Sequence, residues 1–408
     1  MLVYEFKVKA KPSQYQGIDE AIRTAQFIQN KCLRYWMDNK GVNKYDLNKQ
    51  CAVLAKDFDF ASKLNSMARQ SSSERAWSAI AKFYDNCKKK VKGKKGYPKF
   101  KKRCRSVEYK TTGWKLDESC NRKAITITDK TGIGRLKLKG TYNLCFYSLD
   151  QIKRVRLVKR ADGYYCQFGI STDVKIDTGP TNCTIGLDVG LNEFYTDSNG
   201  QKEPNPRFSR KREKQLKRLQ KRVSKKFKKG QPQSKNYKKA RQKLAKAHLK
   251  VSRQRKEHAK KVARCVVLSN DLVAYEDLKV RNLVRNHKLA KSINDAGWYQ
   301  FRVWLEYFGN KFGKITVAVP PHFTSQNCSN CGNKVIKSLS TRTHKCPHCE
   351  YIADRDQNAA INILQRGLST MGHIGTYAWG EETSTLIEAI ELKQVTSLNQ
   401  ESPHFDSR

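Results

Sequence analysis

The chain opens in strict alternation. Leu2, Tyr4, Phe6 and Val8 fall on one side of an extended segment and Val3, Glu5, Lys7 and Lys9 on the other, which predicts a half-buried strand over 2–9. The period then changes. Ile18, Ala21, Ile22, Ala25, Ile28, Cys32, Leu33 and Trp36 recur at steps of three and four, so an amphipathic helix extends to about Asn39. A second helix is expected over about 47–67. A third starts at Ser71, where Glu74 three residues on makes a capping box ahead of Trp77, Ile80, Ala81 and Tyr84. The run 88–103, KKKVKGKKGYPKFKKR, closes this helical lobe, because Gly93, Gly96 and Pro98 forbid a continuous helix. Short β-rich runs occupy 105–171, clearest at 152–158 and 164–170 across Ala161-Asp162-Gly163. Since the first strand precedes the helices, the lobe reads as an insertion into a small antiparallel sheet or barrel.

Beyond Pro180 strands alternate with helices. A hairpin is expected at 184–190 and 194–197, then a long basic helical region, a strand at 272–276, a helix at 298–312 and a strand at 315–319. A cysteine cluster and a short helix follow. From Met371 the composition turns acidic, with six acids against Lys393 and Arg408, and a disordered appendage is expected over 371–408. The whole reads as an α+β multidomain chain.

Charge narrows the class of function. In 408 residues, 82 Lys and Arg against 37 Asp and Glu leave a net +45, which suits a polyanion and not a balanced metabolic enzyme. The 16 Phe, 18 Tyr and 6 Trp supply core material that disordered chains lack. With no run of eighteen apolar residues and no signal-peptide core, a cytoplasmic protein without membrane contact is expected. Nine of the 13 cysteines are scattered singly and read as reduced thiols.

The other four are Cys328, Cys331, Cys346 and Cys349, two CxxC pairs separated by fourteen residues. That spacing lets four thiolates meet on one tetrahedral Zn²⁺, a structural zinc ribbon with no open position for catalysis. His344 and His348 are spare ligands should a cysteine fail.

Three acids stand out. In 184–190, TIGLDVG, alternation sets Ile185, Leu187 and Val189 on one face and Gly186, Asp188 and Gly190 on the other, so a cation and a phosphate backbone could approach Asp188 between two glycines. Glu276 closes the apolar strand LVAYE, whereas Asp277 begins the loop and points away. In ADRDQNAAINIL, Ala359, Ala360, Ile363 and Leu364 lie three, four, seven and eight residues after Asp356, which puts Asp356 on the packed face; Asp354 sits at the cap. An all-oxygen set from Asp188, Glu276 and Asp356 could hold two Mg²⁺ ions for phosphodiester hydrolysis. Between these strands, 201–262 carries 26 Lys and Arg against three acids, and Gly230 with Pro232 breaks it into two basic helices, an αα hairpin for nucleic-acid contact. In 88–103, Tyr97 and Phe100 add stacking faces to the charge.

GLDVGLNEF, AYEDLKVRNLVRN, SINDAGWYQF, PPHFTSQNCSNCG, HKCPHCEY and ADRDQNAAINIL stand in that order over about 184–364, with YPKFKKR upstream. The chain in this respect resembles the TnpB family, transposon-encoded RNA-guided endonucleases related to type V CRISPR effectors. The resemblance implies an RNase H-like (RuvC) nuclease domain over 181–327 and 350–370 with the basic hairpin inserted and Asp188, Glu276 and Asp356 as catalytic metal ligands. It implies a zinc ribbon over 328–349, a wedge-type β-barrel domain over 1–10 and 104–180, and a helical recognition lobe over 11–103. The partners it implies are a guide RNA and a target DNA whose duplex is opened and cut, with the protein a monomer on its RNA. One departure is Tyr307-Phe308, where the family often has a Tyr-Lys pair. Competing readings are a compact CRISPR-associated effector, a non-cleaving nucleic-acid-binding regulator and a DNA-joining transposase.

Overall fold

The computed structural model describes residues 2–91, 93–117, 123–171, 176–338 and 340–372. The expected acidic appendage, from His373 onward, lies outside the described residues. The chain divides into two compact units, 1–173 and 174–408.

In the first unit β1 (Leu2–Lys9) leads into α1 (Pro12–Asp38), α2 (Lys44–Asp57), α3 (Asp59–Ser62) and α4 (Ser66–Lys88). Six further strands follow: β2 (Ser106–Lys110), β3 (Trp114–Leu116), β4 (Ala124–Ile127), β5 (Gly134–Lys139), β6 (Ile152–Arg160) and β7 (Gly163–Ile170). They form one antiparallel sheet in the order β2-β6-β7-β1-β5-β4-β3. The strand that comes first in sequence is thus central, and the four helices are inserted after it. Phe6 and Val8 of β1 are buried with Ile18, Ala21, Ile22, Ala25, Ile28 and Cys32 of α1 in one apolar core, each large side chain contributing about 1.5–3 kcal/mol by leaving water.

Two expectations here are corrected. The single helix over 47–67 is broken twice: at Phe58, whose backbone is extended, and at Lys63–Asn65, where Asn65 accepts the Met67 amide and starts a new helix, while α2 itself begins earlier behind the Asn43 cap. Ser71 is no cap. It lies inside α4, where Ser71, Ser72 and Ser73 are buried small side chains, with Ser72 Oγ returning to the Ala68 carbonyl at 2.8 Å and Ser73 Oγ reaching Asn48 at 2.5 Å.

In the second unit a five-stranded sheet has the order β10-β9-β8-β11-β12. Its strands are β8 (Thr184–Val189), β9 (Glu193–Asp197), β10 (Lys202–Pro204), β11 (Leu272–Glu276) and β12 (Ile315–Val319). The pairs β8–β11 and β11–β12 are parallel, while β8–β9 and β9–β10 are antiparallel. Between β10 and β11 run the short α5 (Phe208–Lys211) and the basic helices α6 (Glu213–Ser224) and α7 (Lys235–Leu268). Only a thin seam of Val223, Leu244 and Val251 is buried along the outer part of this hairpin. The inner turns of α7 bury Ala259, Ala263, Val266 and Val267 against α10 (Trp298–Phe312), reached through α8 (Val280–Leu283) and α9 (His287–Ala296). Phe308, at the position of the family's lysine, is buried in that core. After β12 the hairpin β13 (Thr343–Lys345) and β14 (Ile352–Asp354) leads into α11 (Arg355–Gly372). Among the described residues no helix is long and apolar enough to cross a membrane.

Candidate active site and metal ribbon

Two acids end neighbouring parallel strands. The register pairs Leu272 with Thr184 and Tyr275 with Leu187, so Glu276 and Asp188 follow side by side at the carboxyl edge of the sheet, the edge at which open α/β sheets bind ligands. On β8, Ile185 and Leu187 turn into the core shared with α7 and α10. Gly186 and Asp188 take the opposite face.

That face is covered by α11, and the sequence allows the close approach. A Cβ on Gly186 would meet the Ala360 carbonyl oxygen at 2.1 Å, and one on Gly367 would meet the Ala274 Cβ at 2.6 Å. The expectation that Gly186 leaves room for a phosphate backbone is therefore corrected: the helix backbone fills that room. Asp356 lies one turn before Ala360, and this brings it close enough to Asp188 for its charge to act on that carboxyl.

Charge within the group is unbalanced. Burial, and then the negative charges of Glu276, Asp356 and Asp354, push the Asp188 carboxyl well above its ordinary range, against a smaller pull from Arg355. Burial also raises Glu276, although Thr324 Oγ1 donates to its Oε1 at 2.6 Å and Arg366 is nearby. Asp356 has Arg342 at 3.7 Å. Asp354 behaves as a cap, accepting the Asp356 and Gln357 amides at 2.9 and 3.4 Å; burial pushes its pKa up, but Lys202 at 2.7 Å and those two amides together hold it below its ordinary value. Asp277 turns away to Arg302. The three acids form a hard, oxygen-only donor set, the ligand chemistry that fits Mg²⁺. As placed they are more open than a closed metal site, since the cysteine quartet is the group of three or more ligating side chains already gathered among the described residues.

In that quartet the four Sγ atoms of Cys328, Cys331, Cys346 and Cys349 lie within 4.8 Å of one another. Cys328–Cys349 and Cys331–Cys346 stand at 3.7 and 3.6 Å, near the roughly 3.8 Å edge of a tetrahedron of sulfurs around zinc. The Tyr351 amide and Asn330 Nδ2 hold the Cys349 thiol below its usual pKa, favouring the thiolate a metal needs. The spare histidines stay outside: His344 is fully buried beside Tyr351 and bonded to Lys337, and His348 is exposed.

Residues that the sequence reading passed over tie this ribbon to α11. Asn358, fully buried, accepts the Ser329 amide at 3.0 Å and donates to the Asn327 carbonyl at 2.8 Å. Asn362 donates to the Thr324 and Asn327 carbonyls, both at 2.8 Å. Their spacing of four, beside the apolar stripe, was the available signal. One loop thus supplies the Glu276 partner Thr324 and the first ribbon cysteine, and the helix bearing Asp356 holds it.

Two family models match. Residues 167–287 fit "Probable transposase", OrfB_IS605, and residues 298–363 fit "Cas12f1-like, TNB domain". A Streptomyces pristinaespiralis protein named "Putative RNA-guided DNA endonuclease" is 38% identical over 191 residues, 46% of each chain. Its Escherichia coli K12 counterpart InsQ is 29% identical over 289 residues, 66% of this chain and 68% of that one. TnpB-like protein L79 of Acanthamoeba polyphaga mimivirus is 34% identical over 142 residues, 33% of this chain and 27% of its own. The match thus spans about half the length of the Streptomyces relative and a smaller part of the viral one. In fold the chain is similar to Cas12f1 from a complex with sgRNA and target DNA, at TM-score 0.54 and 15% identity over 86% of this chain and 82% of that one. It is also similar to the mini RNA-guided endonuclease CRISPR-Cas_phi3, at TM-score 0.55 and 9% identity over 90% and 92%. With a transposase model across the first two acids, a TNB model across the ribbon and third acid, and TnpB-like relatives, the chain belongs to the TnpB family.

Proposed function

We propose that this protein is an RNA-guided, Mg²⁺-dependent DNA endonuclease that hydrolyses target DNA paired to a guide RNA beside a short flanking motif. The observation that supports this reading is that Glu276 and Asp188 lie side by side at the carboxyl edge of parallel strands, with the charge of Asp356 acting on Asp188, in a chain of net charge +45. The relatives' names as RNA-guided DNA endonucleases support it. In this reading the second unit contains a RuvC-like nuclease domain with the basic hairpin inserted and the zinc ribbon appended. The sheet of the first unit is the wedge-type domain, and α1–α4 form the recognition lobe.

Bound at the three carboxylates, Mg²⁺ would activate the attacking water and offset charge on the departing 3′ oxygen. The protein's own part is positioning. Asp188 and Glu276 sit on paired strands whose spacing is set by the ladder, and Asp356 is held by the tight seat of α11 on Gly186. Thr324 donates to Glu276, Arg342 pairs with Asp356, and Lys202 pairs with the capping Asp354. Base pairing would supply sequence specificity, and the lysines and arginines of α6 and α7 would neutralise backbone phosphates. The intact trio of acids argues against a regulator that binds without cutting.

The test is cleavage of a labelled target duplex by the purified protein–RNA complex with and without Mg²⁺. Asp188→Ala, Glu276→Ala and Asp356→Ala should each lower cleavage by about a thousandfold or more while guide and target binding persist. Cutting that survives Asp188→Ala would overturn the reading.

A further inference from the structure

Between Asp85 and Glu108 the sequence has eleven Lys and Arg and no acid. Such a run is ordinarily a loose tether. Here its second half is fastened at successive points along the first unit's helices. Asn86 Nδ2 donates to the Lys95 carbonyl at 3.0 Å, the Tyr97 ring packs on Trp36 and Phe83, and Pro98 is buried. Two amide side chains of α1 then grip the backbone from both sides. Asn30 donates to the Lys101 carbonyl at 3.0 Å and accepts the Lys101 amide at 2.8 Å. Gln26 donates to the Lys101 and Lys102 carbonyls at 2.9 and 3.2 Å and accepts the Cys104 amide at 2.6 Å.

The fastening uses main-chain atoms, so the side chains are left outward. Lys99, Phe100, Lys101, Lys102 and Arg103 are all exposed, Phe100 at 46%. Tyr97 packs on Trp36 and Phe83 yet keeps about half its surface in solvent, so it and Phe100 both present a ring outward. Four cations beside the two exposed rings of Tyr97 and Phe100 match the alternation of phosphate and unpaired base along a single strand. We propose that 97–104 is a preformed strap that holds a single-stranded stretch of the guide RNA, with Gln26 and Asn30 as its positioning residues. This rests on the RNA-guided reading above. The guide is favoured over the target because, on the RNA-guided reading, it is the strand the chain carries before any target is met.

Preorganisation is what the two amides add. A loose run of the same charge would have to be ordered at the moment of binding, at an entropic cost for each residue fixed.

The test uses the full-length chain, assayed for copurified RNA per chain across salt washes and for binding of an oligouridylate of about 20 nucleotides as a function of salt. Replacing Lys99, Lys101 and Lys102 by Gln should flatten the slope of log K against log salt by about 2 and release copurified RNA at lower salt. Gln26→Leu with Asn30→Leu should leave the charge intact, weaken binding about tenfold and speed tryptic cleavage after Lys101 and Lys102. The surface Lys→Gln variants keep the proposal testable should the double Leu variant fold poorly. Unchanged slope and unchanged RNA retention in the Gln variant would overturn the strap. Loss of target DNA binding with full RNA retention would overturn its assignment to the guide. A wild-type chain that purifies without RNA would instead refute the RNA-guided reading itself.

Discussion

Gly186 is seated directly beneath Ala360: a Cβ at the glycine would stand 2.1 Å from the Ala360 carbonyl oxygen and 2.8 Å from the Leu364 amide nitrogen. Both obstacles are backbone, so neither can swing aside. Gly186→Ala should therefore lift α11 from the sheet, destabilise the nuclease unit by about 3 kcal/mol and lower cleavage about a hundredfold through displacement of Asp356. Thermal melting paired with single-turnover cleavage checks this, and wild-type values for both would refute the packing argument.

Metal content offers a second check. The cysteine quartet should hold about one zinc per chain, read by elemental analysis. Cys346→Ser should reduce that content and, because Asn358 and Asn362 tie the ribbon's approach loop to α11, lower cleavage as well. Retained cleavage after complete zinc loss would separate the ribbon from the cutting site.

Asp271 sets an acid limit on the second unit. Burial alone would raise its pKa, but Lys314 at 2.5 Å and the Thr181 and Asn182 amides draw it down to about 2. A carboxylate lowered by folding adds stability that is present in full above its unfolded pKa of about 3.9 and drains away as pH falls toward 2. Asp271→Asn should cost about 1–2 kcal/mol at neutral pH and should flatten the fall in stability between pH 4 and about 2. Denaturant melts across that window measure both.

The start of the basic hairpin depends on Asp295, which accepts the Ser209 amide at 2.9 Å and the Arg210 amide at 3.2 Å while nearly buried. Asp295→Ala would leave these amides without a partner, at a cost of about 2–3 kcal/mol. Hydrogen exchange should quicken at Ser209 and Arg210 before it quickens in β11. Uniform exchange with the wild type would show that the hairpin is anchored elsewhere.

Much of the candidate site was legible because each acid sits on an element with strong periodicity. Alternation assigns Asp188 its face, an apolar run ends at Glu276, and the stripe of Ala359, Ala360, Ile363 and Leu364 orients Asp356. What stayed hidden depends on partners distant in the chain. A glycine beside a candidate ligand reads as open space, and only the packed helix reveals that it is occupied. Leu47, Leu54 and Ala61 keep helical spacing across the break at Phe58, so periodicity alone runs two helices together. Ser71–Ser73 resemble a cap because their polarity is local, whereas their burial is set by neighbouring helices. Arg342 and the Asn358–Asn362 pair carry no local signature of the contacts they make.

The third carboxylate arrives late. Asp356 follows Glu276 by 80 positions and rides on the last described helix. During synthesis the basic hairpin and the first two acids leave the ribosome well before it, so an unfinished product can grip a polyanion yet has no complete blade. On the proposed function, premature termination upstream of that helix would yield an occupant of the target that competes with the full-length chain.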